Sequence, residues 1–472
     1  VTTAMVLTMV LCFALTISVA VSIGLAAIVG IQITNLNMLV AVKEMFSSIN
    51  KFPLAAIPFF ILAGNLMETG GISRRLVEFA KSLVGGVQGG LPMTCVLTCM
   101  IFAAVSGSSV ATTFAIGAIL IPALIKHGYP TPYAAALQAT SAELGVVIPP
   151  SIPMILFGVA AEVSIGEMFI AGFGPGFLIG GALMLFVWLW CKWKGWGKND
   201  GDGRLSLRVA ASDLAFVAGF GVTVFAARKL IADETAHLVV PAAYLAIFLA
   251  VPSLRRIAIG HAGLALLMPV IILGGIYGGI FTPTEASAVA VFYALLVGMG
   301  VYREIDLRQL GVVLKKSVVS SAVIMFIIAN AGLFAYLITR AGVPDAIGVY
   351  LKDVLQSPLL FLLGVNAALF LIGMFIETSA AIIVLAPILV PVAIYFGVDP
   401  IHFGIIMVVN LALGMITPPF GVNLFAACTV ARISLDRIIA PLIPFVLVIV
   451  ACLMLITYVP VISLGLRDLV YK

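Results

Sequence analysis

Gly145-Val-Val-Ile-Pro-Pro150 and Gly414-Met-Ile-Thr-Pro-Pro419 are two occurrences of one pattern, and their reading decides the fold. Each follows a small polar stretch, Gly107-Ser-Ser-Val-Ala111 in the first case and Ile376-Glu-Thr-Ser-Ala380 in the second. Between stretch and break lie Leu120-Ile-Pro122 and Leu389-Val-Pro391. The differences 414 − 145, 391 − 122 and 380 − 111 all equal 269, so no gap intervenes. In that register Leu120/Leu389, Pro122/Pro391, Ile125/Ile394, Gly128/Gly397, Leu144/Leu413, Pro149/Pro418 and Pro150/Pro419 are identical pairs. A helix break that recurs together with its upstream hairpin marks a duplicated membrane fold with paired interrupted helices.

Composition agrees. Of 472 residues, 63% are hydrophobic and 10% charged, with a mean hydropathy of +1.24, whereas soluble domains carry about 25% charged residues. Many apolar runs are long enough to cross a bilayer core of roughly 30 Å, which takes about 20 helical residues. They are continuous rather than alternating, which argues against a β-barrel. The net charge of +5 forms no polybasic face, so no nucleic-acid partner is expected. Cys12, Cys95, Cys99, Cys191, Cys428 and Cys452 lie in or beside apolar runs and read as small buried hydrophobes. The N-terminal run lacks a basic leader and continues into further membrane segments, so it does not read as a signal peptide.

In chain order, 4–34 reads as two short helices meeting at Thr16-Ile-Ser18, followed by an amphipathic piece, 35–50, and a span from Pro53 to Glu68. Ser73–Leu83, with Arg74, Arg75 and Lys81, reads as a surface helix. The first hairpin is 91–126, with its tip at Ser106–Ser109, and a broken span, 131–160, follows. The span 168–191 closes on Trp188, Trp190, Trp193 and Trp196, interleaved with lysines, which predicts an interfacial belt. A basic stretch, 193–208, precedes an extra hydrophobic pair within about 210–253. Spans 262–280 and 284–302 lead to a basic amphipathic piece with Arg303, Arg308, Lys315 and Lys316, then a span 317–339 and a second surface helix 344–356. The second hairpin, 358–396, a broken span, 400–430, and a last span, 438–465, complete the chain.

The expected fold is therefore an all-α polytopic membrane protein built as an inverted-topology repeat, with two re-entrant helical hairpins and two interrupted transmembrane helices. Residues 1–192 form the first repeat, 193–258 a cytoplasmic linker carrying the extra pair, and 259–472 the second repeat. Counting crossings from the basic loops sets the halves in opposite orientation, with both termini periplasmic.

Each tip and its Pro-Pro break are expected to meet near the bilayer midplane. Proline donates no hydrogen bond, so carbonyls around Gly145–Ile148 and Gly414–Thr417 lose helical partners. Ser106, Ser108 and Ser109 add hydroxyls at one tip; Thr378 and Ser379 add them at the other, with Thr417 beside the second break. Neutral oxygens without a carboxylate cage suit Na⁺ better than a transition metal. The same hydroxyls can equally cap short helices, and both roles stay open. Half-helix N-termini attract anions without an intramembrane arginine, which makes Ser108, Pro150, Ser151, Thr378, Pro419 and Asn423 candidate contacts for an organic anion. Thr282-Pro-Thr-Glu285 fits a capping box, with ion coupling as a second role for Glu285. Glu143 and Glu377 are placed deep and are candidate proton or ion groups, Glu377 alternatively lining a wet hairpin mouth.

Ile57-Pro-Phe-Phe-Ile-Leu-Ala-Gly-Asn65, Gly107–Ala111, Pro149-Pro150, Gly278-Gly-Ile-Phe-Thr-Pro-Thr-Glu285, Glu377-Thr378 and Thr417-Pro-Pro419 together resemble the large membrane subunit of TRAP (tripartite ATP-independent periplasmic) transporters, over nearly the whole chain. The resemblance implies Na⁺-coupled uptake of an organic acid such as a dicarboxylate or sialic acid across a bacterial inner membrane by an elevator motion. It also implies two partners, a small four-helix membrane subunit and a periplasmic substrate-binding protein. The extra pair at 210–253 departs from the family pattern. A binding-protein-independent anion symporter of similar architecture would share most of these features. A membrane enzyme would need a nucleophile or metal constellation, and the sequence shows none.

Overall fold

The computed structural model describes residues 1–198, 200, 207–230, 241, 243–248, 251, 262–355, 357–419 and 421–471, and no strand occurs among them. Eight described helices are long and apolar enough to cross a membrane; a further pair, bent by 41° at its break, makes a ninth span.

The first repeat opens with α1 (Thr2–Ala14), α2 (Val19–Ile33) and α3 (Leu39–Ile49). The turn between α1 and α2 places Thr16 in the left-handed region. A 3₁₀ turn at Phe52–Ala55 leads into α4 (Ala56–Thr69), and α5 (Ile72–Val84) follows a left-handed Gly71. The first hairpin is α6 (Gly90–Ser106) and α7 (Ser109–Lys126). The broken span is α8 (Thr131–Ala142), a single turn α9 (Leu144–Val147), and α10 (Ile152–Ala160). Helix α11 (Ile165–Lys194) returns, and the extra segment begins with α12 (Leu207–Leu230). Most of the second expected inserted span, 237–253, lies outside the described residues.

The second half contains α13 (Gly263–Tyr277), α14 (Pro283–Leu295, running into a π-turn, Leu296–Val301), α15 (Leu307–Arg340) and α16 (Val343–Leu355). The second hairpin is α17 (Pro358–Gly373) and α18 (Thr378–Tyr395). The second broken span is α19 (Pro400–Met415) and α20 (Val422–Ala431), and α21 (Leu435–Tyr458) and α22 (Val461–Tyr471) end the chain.

The sequence register survives in three dimensions. Helices α7 and α18 start at 109 and 378 and end at 126 and 395, both 269 apart. Helices α8 and α19 start at 131 and 400, again 269 apart. Pro149-Pro150 and Pro418-Pro419 are both cis. The repeats also interlock: α20 packs on α7 and α8 of the first repeat, while α10 packs on α18 of the second. Helix α19 is buried on every side, as an apolar helix at the centre of a bundle is. Helix α15 lies against α2, α3, α4 and α18, and α14 lies against α4.

Two segments differ from the sequence reading. The basic piece from Arg308 to Lys316 and the span 317–339 are one continuous helix, α15, of 34 residues. Asp306 and Gln309 form a capping box at its start, and no proline follows before Arg340. The last span ends at Tyr458 instead of 465, because Pro460 supplies no N–H to continue it. Helix α22 is then a separate amphipathic segment packed on α11. Its Arg467 bonds Asp399, 2.9 Å, and Asp468, 2.7 Å.

The tryptophan cluster forms as expected at the end of α11, where Lys194 stacks over Trp193 at 4.4 Å and Lys192 over Trp188 at 5.2 Å. Beyond it, Asp200 folds back and accepts hydrogen bonds from Tyr129 Oη and Leu91 N–H at the base of the first hairpin.

Candidate functional site

Both tips meet their breaks, through repeat-related glycines. Proline stands four residues after Gly145 and Val146, so neither carbonyl has a helical i+4 donor. Ser151 Oγ compensates one, donating to Val146 O at 2.6 Å while capping α10 by accepting from Met154 N–H. The break is pinned to the tip by Ile152 N–H donating to Gly107 O at 3.2 Å. Gly107 sits at φ +61°, and a Cβ there would lie 2.9 Å from Pro150 O. This is one place where only glycine fits.

Around Gly145, neutral oxygens converge. Thr112 Oγ1 donates to Ser108 O at 2.8 Å and lies 3.0 Å from Ser106 Oγ. A Cβ on Gly145 would fall 2.8 Å from Thr112 Oγ1 and 2.9 Å from Ser108 O. Ser108 Oγ caps α7 by accepting from Ala111 N–H at 3.4 Å, and Ser109 is buried beside it. The structure thus gathers Ser106, Ser108, Ser109, Gly145 and Ser151, with Ile148 and Pro150 on the short bridge between them. Thr112 joins them, and the sequence reading missed it. Its signal was its i+4 position after Ser108, one helical turn from the tip.

The second unit keeps the frame with different chemistry. Gly414 and Gly373 touch backbone to backbone: a Cβ on Gly414 would lie 2.4 Å from the Gly373 carbonyl carbon. Thr378 Oγ1 is fully buried and lies 2.9 Å from Met415 Sδ. Thr417 Oγ1 donates to Leu413 O at 2.9 Å, and Pro419 lies on the bridge beyond it. Glu377 is the repeat counterpart of Ser108 (377 − 108 = 269) and takes the same capping position. Its carboxylate accepts from Ser379 N–H, Ser379 Oγ and Ala380 N–H at 2.8–3.2 Å. Both deep-acid roles considered for Glu377 are therefore overlaid on a structural one, the N-cap of α18.

Asn423 on α20 reaches across to the first repeat. Its Oδ1 accepts from Thr113 Oγ1 at 3.3 Å, and its Nδ2 donates to Glu143 Oε1. Glu285 lies apart from both tips: its carboxylate accepts from Thr282 N–H, 2.8 Å, and Thr282 Oγ1, 2.9 Å, completing the expected capping box. No group of three or more His, Cys, Asp or Glu side chains arranged for a metal occurs among the described residues.

A cleft of about 490 Å³ opens between α3 and α15 on one side and α10 and α18 on the other. Lys51, Glu162, Tyr336 and Arg340 line it, and its walls include Leu156 and Ile383. These two lie five residues beyond Ser151 and Thr378, about 7.5 Å along a helix, so the cleft approaches the tips from one side.

The chain matches, over residues 6–462, the family described as tripartite ATP-independent periplasmic transporter, DctM component. It is 40% identical to the C4-dicarboxylate TRAP transporter large permease protein DctM of Pseudomonas aeruginosa, over 90% of this chain and 88% of that one. It is 32% identical to the sialic acid TRAP transporter large permease protein SiaM of Vibrio cholerae, over 95% and 93%. Among solved structures, the YdaH transporter of Alcanivorax borkumensis superposes with a TM-score of 0.58 at 14% identity, covering 90% of this chain and 88% of that one. At that identity the likeness speaks for the fold alone. The duplicated, interrupted-helix fold and the family match together establish that this chain belongs to the DctM-component family of tripartite ATP-independent periplasmic transporters, as a transporter permease and not an enzyme.

Proposed function

We propose that the chain is the translocating subunit of a Na⁺-driven importer of small organic carboxylates in a bacterial inner membrane. A periplasmic substrate-binding protein delivers the anion, and a small four-helix membrane subunit completes the complex. The observation that carries this reading is that each break packs closely on its hairpin, Gly145 against Thr112 and Ser108 and Gly414 against the Gly373 backbone, beside tips that carry Ser106, Ser108 and Ser109 or Thr378 and Ser379. Ser106, Ser108 and Ser109 with Gly145 and Ile148 hold one Na⁺; Thr378 and Ser379 with Gly414 and Thr417 hold another. The first set offers neutral oxygens and the second adds the Glu377 carboxylate beside Ser379; hard oxygen donors of this kind suit a weakly bound monovalent cation that must also leave.

The anion binds between the tips, against the N-terminal ends of α7, α10, α18 and α20, where Ser108, Pro150, Ser151, Thr378 and Pro419 are the candidate contacts. The cleft with Lys51 and Arg340 is its way in, and its volume is in the range of small-molecule sites, about 300–1,000 Å³. The hairpins and broken spans move together as the carrier, while α1–α5 and α13–α16 stay as scaffold. The names of relatives, C4-dicarboxylate, sialic acid and 2,3-diketo-L-gulonate permeases, support a carboxylate substrate.

The test is uptake of a carboxylate panel by proteoliposomes holding the permease and its small subunit, with and without the binding protein. Uptake driven by an inward Na⁺ gradient, and requiring the binding protein, is the expected result. Uptake driven by a proton gradient alone would overturn Na⁺ coupling, and full uptake without the binding protein would make the chain a stand-alone symporter.

A further inference from the structure

We propose that the cleft between α8, α11 and α21 binds one anionic phospholipid, its phosphate held by Lys194 and Arg437 and an acyl chain laid along Phe186 and Phe445. The cleft has a volume of about 310 Å³, and all four of these residues line it. Helices α11 and α21 pack together and start at Ile165 and Leu435, within one residue of the repeat interval of 269. As counterparts in an inverted repeat they run in opposite directions. Their phenylalanine rings touch edge to face, with centroids 5.2 Å apart. In each helix the cation stands eight residues from the phenylalanine (194 − 186 = 445 − 437 = 8), about 12 Å of helix rise. The count runs forward along α11 and backward along α21, so both cations come to one end of the cleft and both rings lie deeper.

The walls ask for an acceptor. Their polar side chains are Lys194, Arg437, Trp190 and Tyr133, with no acid among them. Tyr133 Oη lies 3.9 Å from Cys191 Sγ. Trp190 Nε1 is buried and has no acceptor in the protein. Lys194 Nζ lies 4.4 Å from the Trp193 ring and 5.7 Å from the Trp190 ring, contacts that bring no negative charge. Among the described residues no carboxylate pairs with Lys194 or Arg437. Asp200 is taken by Tyr129 and Leu91 N–H, and Asp436, next to Arg437 in the chain, is not a wall of the cleft. Two cations and an unsatisfied N–H fit a phosphodiester, which carries one negative charge and only acceptors.

The depth of the cleft makes the ligand a lipid. Below the cations its walls are Phe186, Phe445 and the rings of Pro441 and Pro444, which a soluble phosphate would leave bare. The mouth is at the level of the tryptophan cluster, where headgroups lie, and basic pockets between membrane helices are a recurrent form of headgroup site. The site stands apart from both tips and from the cleft with Lys51 and Arg340.

All four tryptophans of the chain fall between 188 and 196, so tryptophan emission of the purified permease reports on this region alone. The assay is quenching by phospholipids brominated on their acyl chains, in phosphatidylcholine liposomes. Each cation near a lipid surface adds about fivefold to anionic-lipid affinity. Brominated phosphatidylglycerol should therefore quench at a mole fraction roughly 30-fold below that of brominated phosphatidylcholine. The preference should collapse in K194Q/R437Q and persist in R308Q/K315Q, which removes the same charge from exposed positions elsewhere. Equal quenching by the two lipids, or an unchanged preference in K194Q/R437Q, would overturn the proposal. Inorganic phosphate at constant ionic strength should leave the quenching as it is; reversal by it would make this a soluble-phosphate site and overturn the lipid assignment. Native mass spectra of the permease with its small membrane subunit should retain one phosphatidylglycerol that the K194Q/R437Q complex lacks. A wild-type complex without that lipid would give the cleft to the protein partner and equally overturn the proposal.

Discussion

Gly414→Ala is the sharpest structural perturbation. The added methyl carbon would lie 2.4 Å from the Gly373 carbonyl carbon, 2.5 Å from its Cα and 2.8 Å from its oxygen. Comfortable carbon contacts begin near about 3.5 Å, so α17 and α19 must separate by roughly 1 Å at the point where the second tip meets its break. All three obstructing atoms are backbone, so no side chain can swing away. Overpacking of this kind costs about 1–3 kcal/mol, and the rigid obstacle puts this case at the upper end. Gly364→Ala, also in α17, is the matched control: nothing lies within 4 Å of its added carbon, and replacing an unhindered helical glycine stabilises by about 0.5–1 kcal/mol. Thermal melting in detergent and carboxylate uptake in proteoliposomes are the assays. G414A should melt below the wild type and lose at least tenfold in uptake, while G364A should melt at or above it and transport normally. If G414A melts and transports like G364A, the tip-and-break contact does not hold the second unit together.

Four further outcomes follow from the geometry. Gly145→Ala meets Thr112 Oγ1 at 2.8 Å and the backbone Ser108 O at 2.9 Å; the tip must shift away from its break, so the variant should melt below the wild type and the Na⁺ concentration for half-maximal uptake should rise, as a Na⁺ titration will show. Glu285→Gln keeps the acceptor for Thr282 N–H and should leave Na⁺ dependence within about twofold; a larger shift in the same titration would give Glu285 a coupling role beyond its cap. Arg467→Met removes the bonds to Asp399 and Asp468, and Asp399 also caps α19; charge-assisted bonds of this sort are worth about 1.5–3 kcal/mol, read as a lower melting temperature. Single cysteines at 198 and 308 should resist an impermeant periplasmic thiol reagent in sealed cells, whereas cysteines at 348 and 469 should react; labelling at 198 would contradict the inverted orientation.

Much of the fold was legible because the repeat carries its own punctuation. Proline pairs end helices regardless of context, so both breaks and the starts of α7 and α18 followed from spacing alone. What the sequence reading could not see was two expected elements running on as one without a breaker, as where Lys315–Lys316 continue straight into the span of α15. Nor did hydropathy see Pro460 as the end of α21, since apolar residues flank it on both sides. At the site, residues with hydroxyls beside a glycine tip were easy to nominate. Thr112 and Thr113 were not, because inside an apolar helix a threonine reads as one more β-branched residue until its neighbours are known. Asn423 was nominated as a substrate contact, yet the structure buries it fully, with both amide ends bonded to the first repeat. That partnership spans 280 residues, and no local pattern announces it.

The measurement closest to the central claim is a Na⁺ titration of uptake for Ser108→Ala and Thr378→Ala, each first shown to be monodisperse and folded. Removing one of several oxygen ligands should cost about 1–3 kcal/mol, a roughly 5- to 150-fold rise in the Na⁺ concentration for half-maximal uptake. Because ion and substrate binding are linked, apparent substrate affinity should fall at limiting Na⁺ and recover when Na⁺ is raised. Unchanged Na⁺ dependence in both variants would reduce these hydroxyls to helix caps and contradict the assignment of the tip-and-break units as the ion sites.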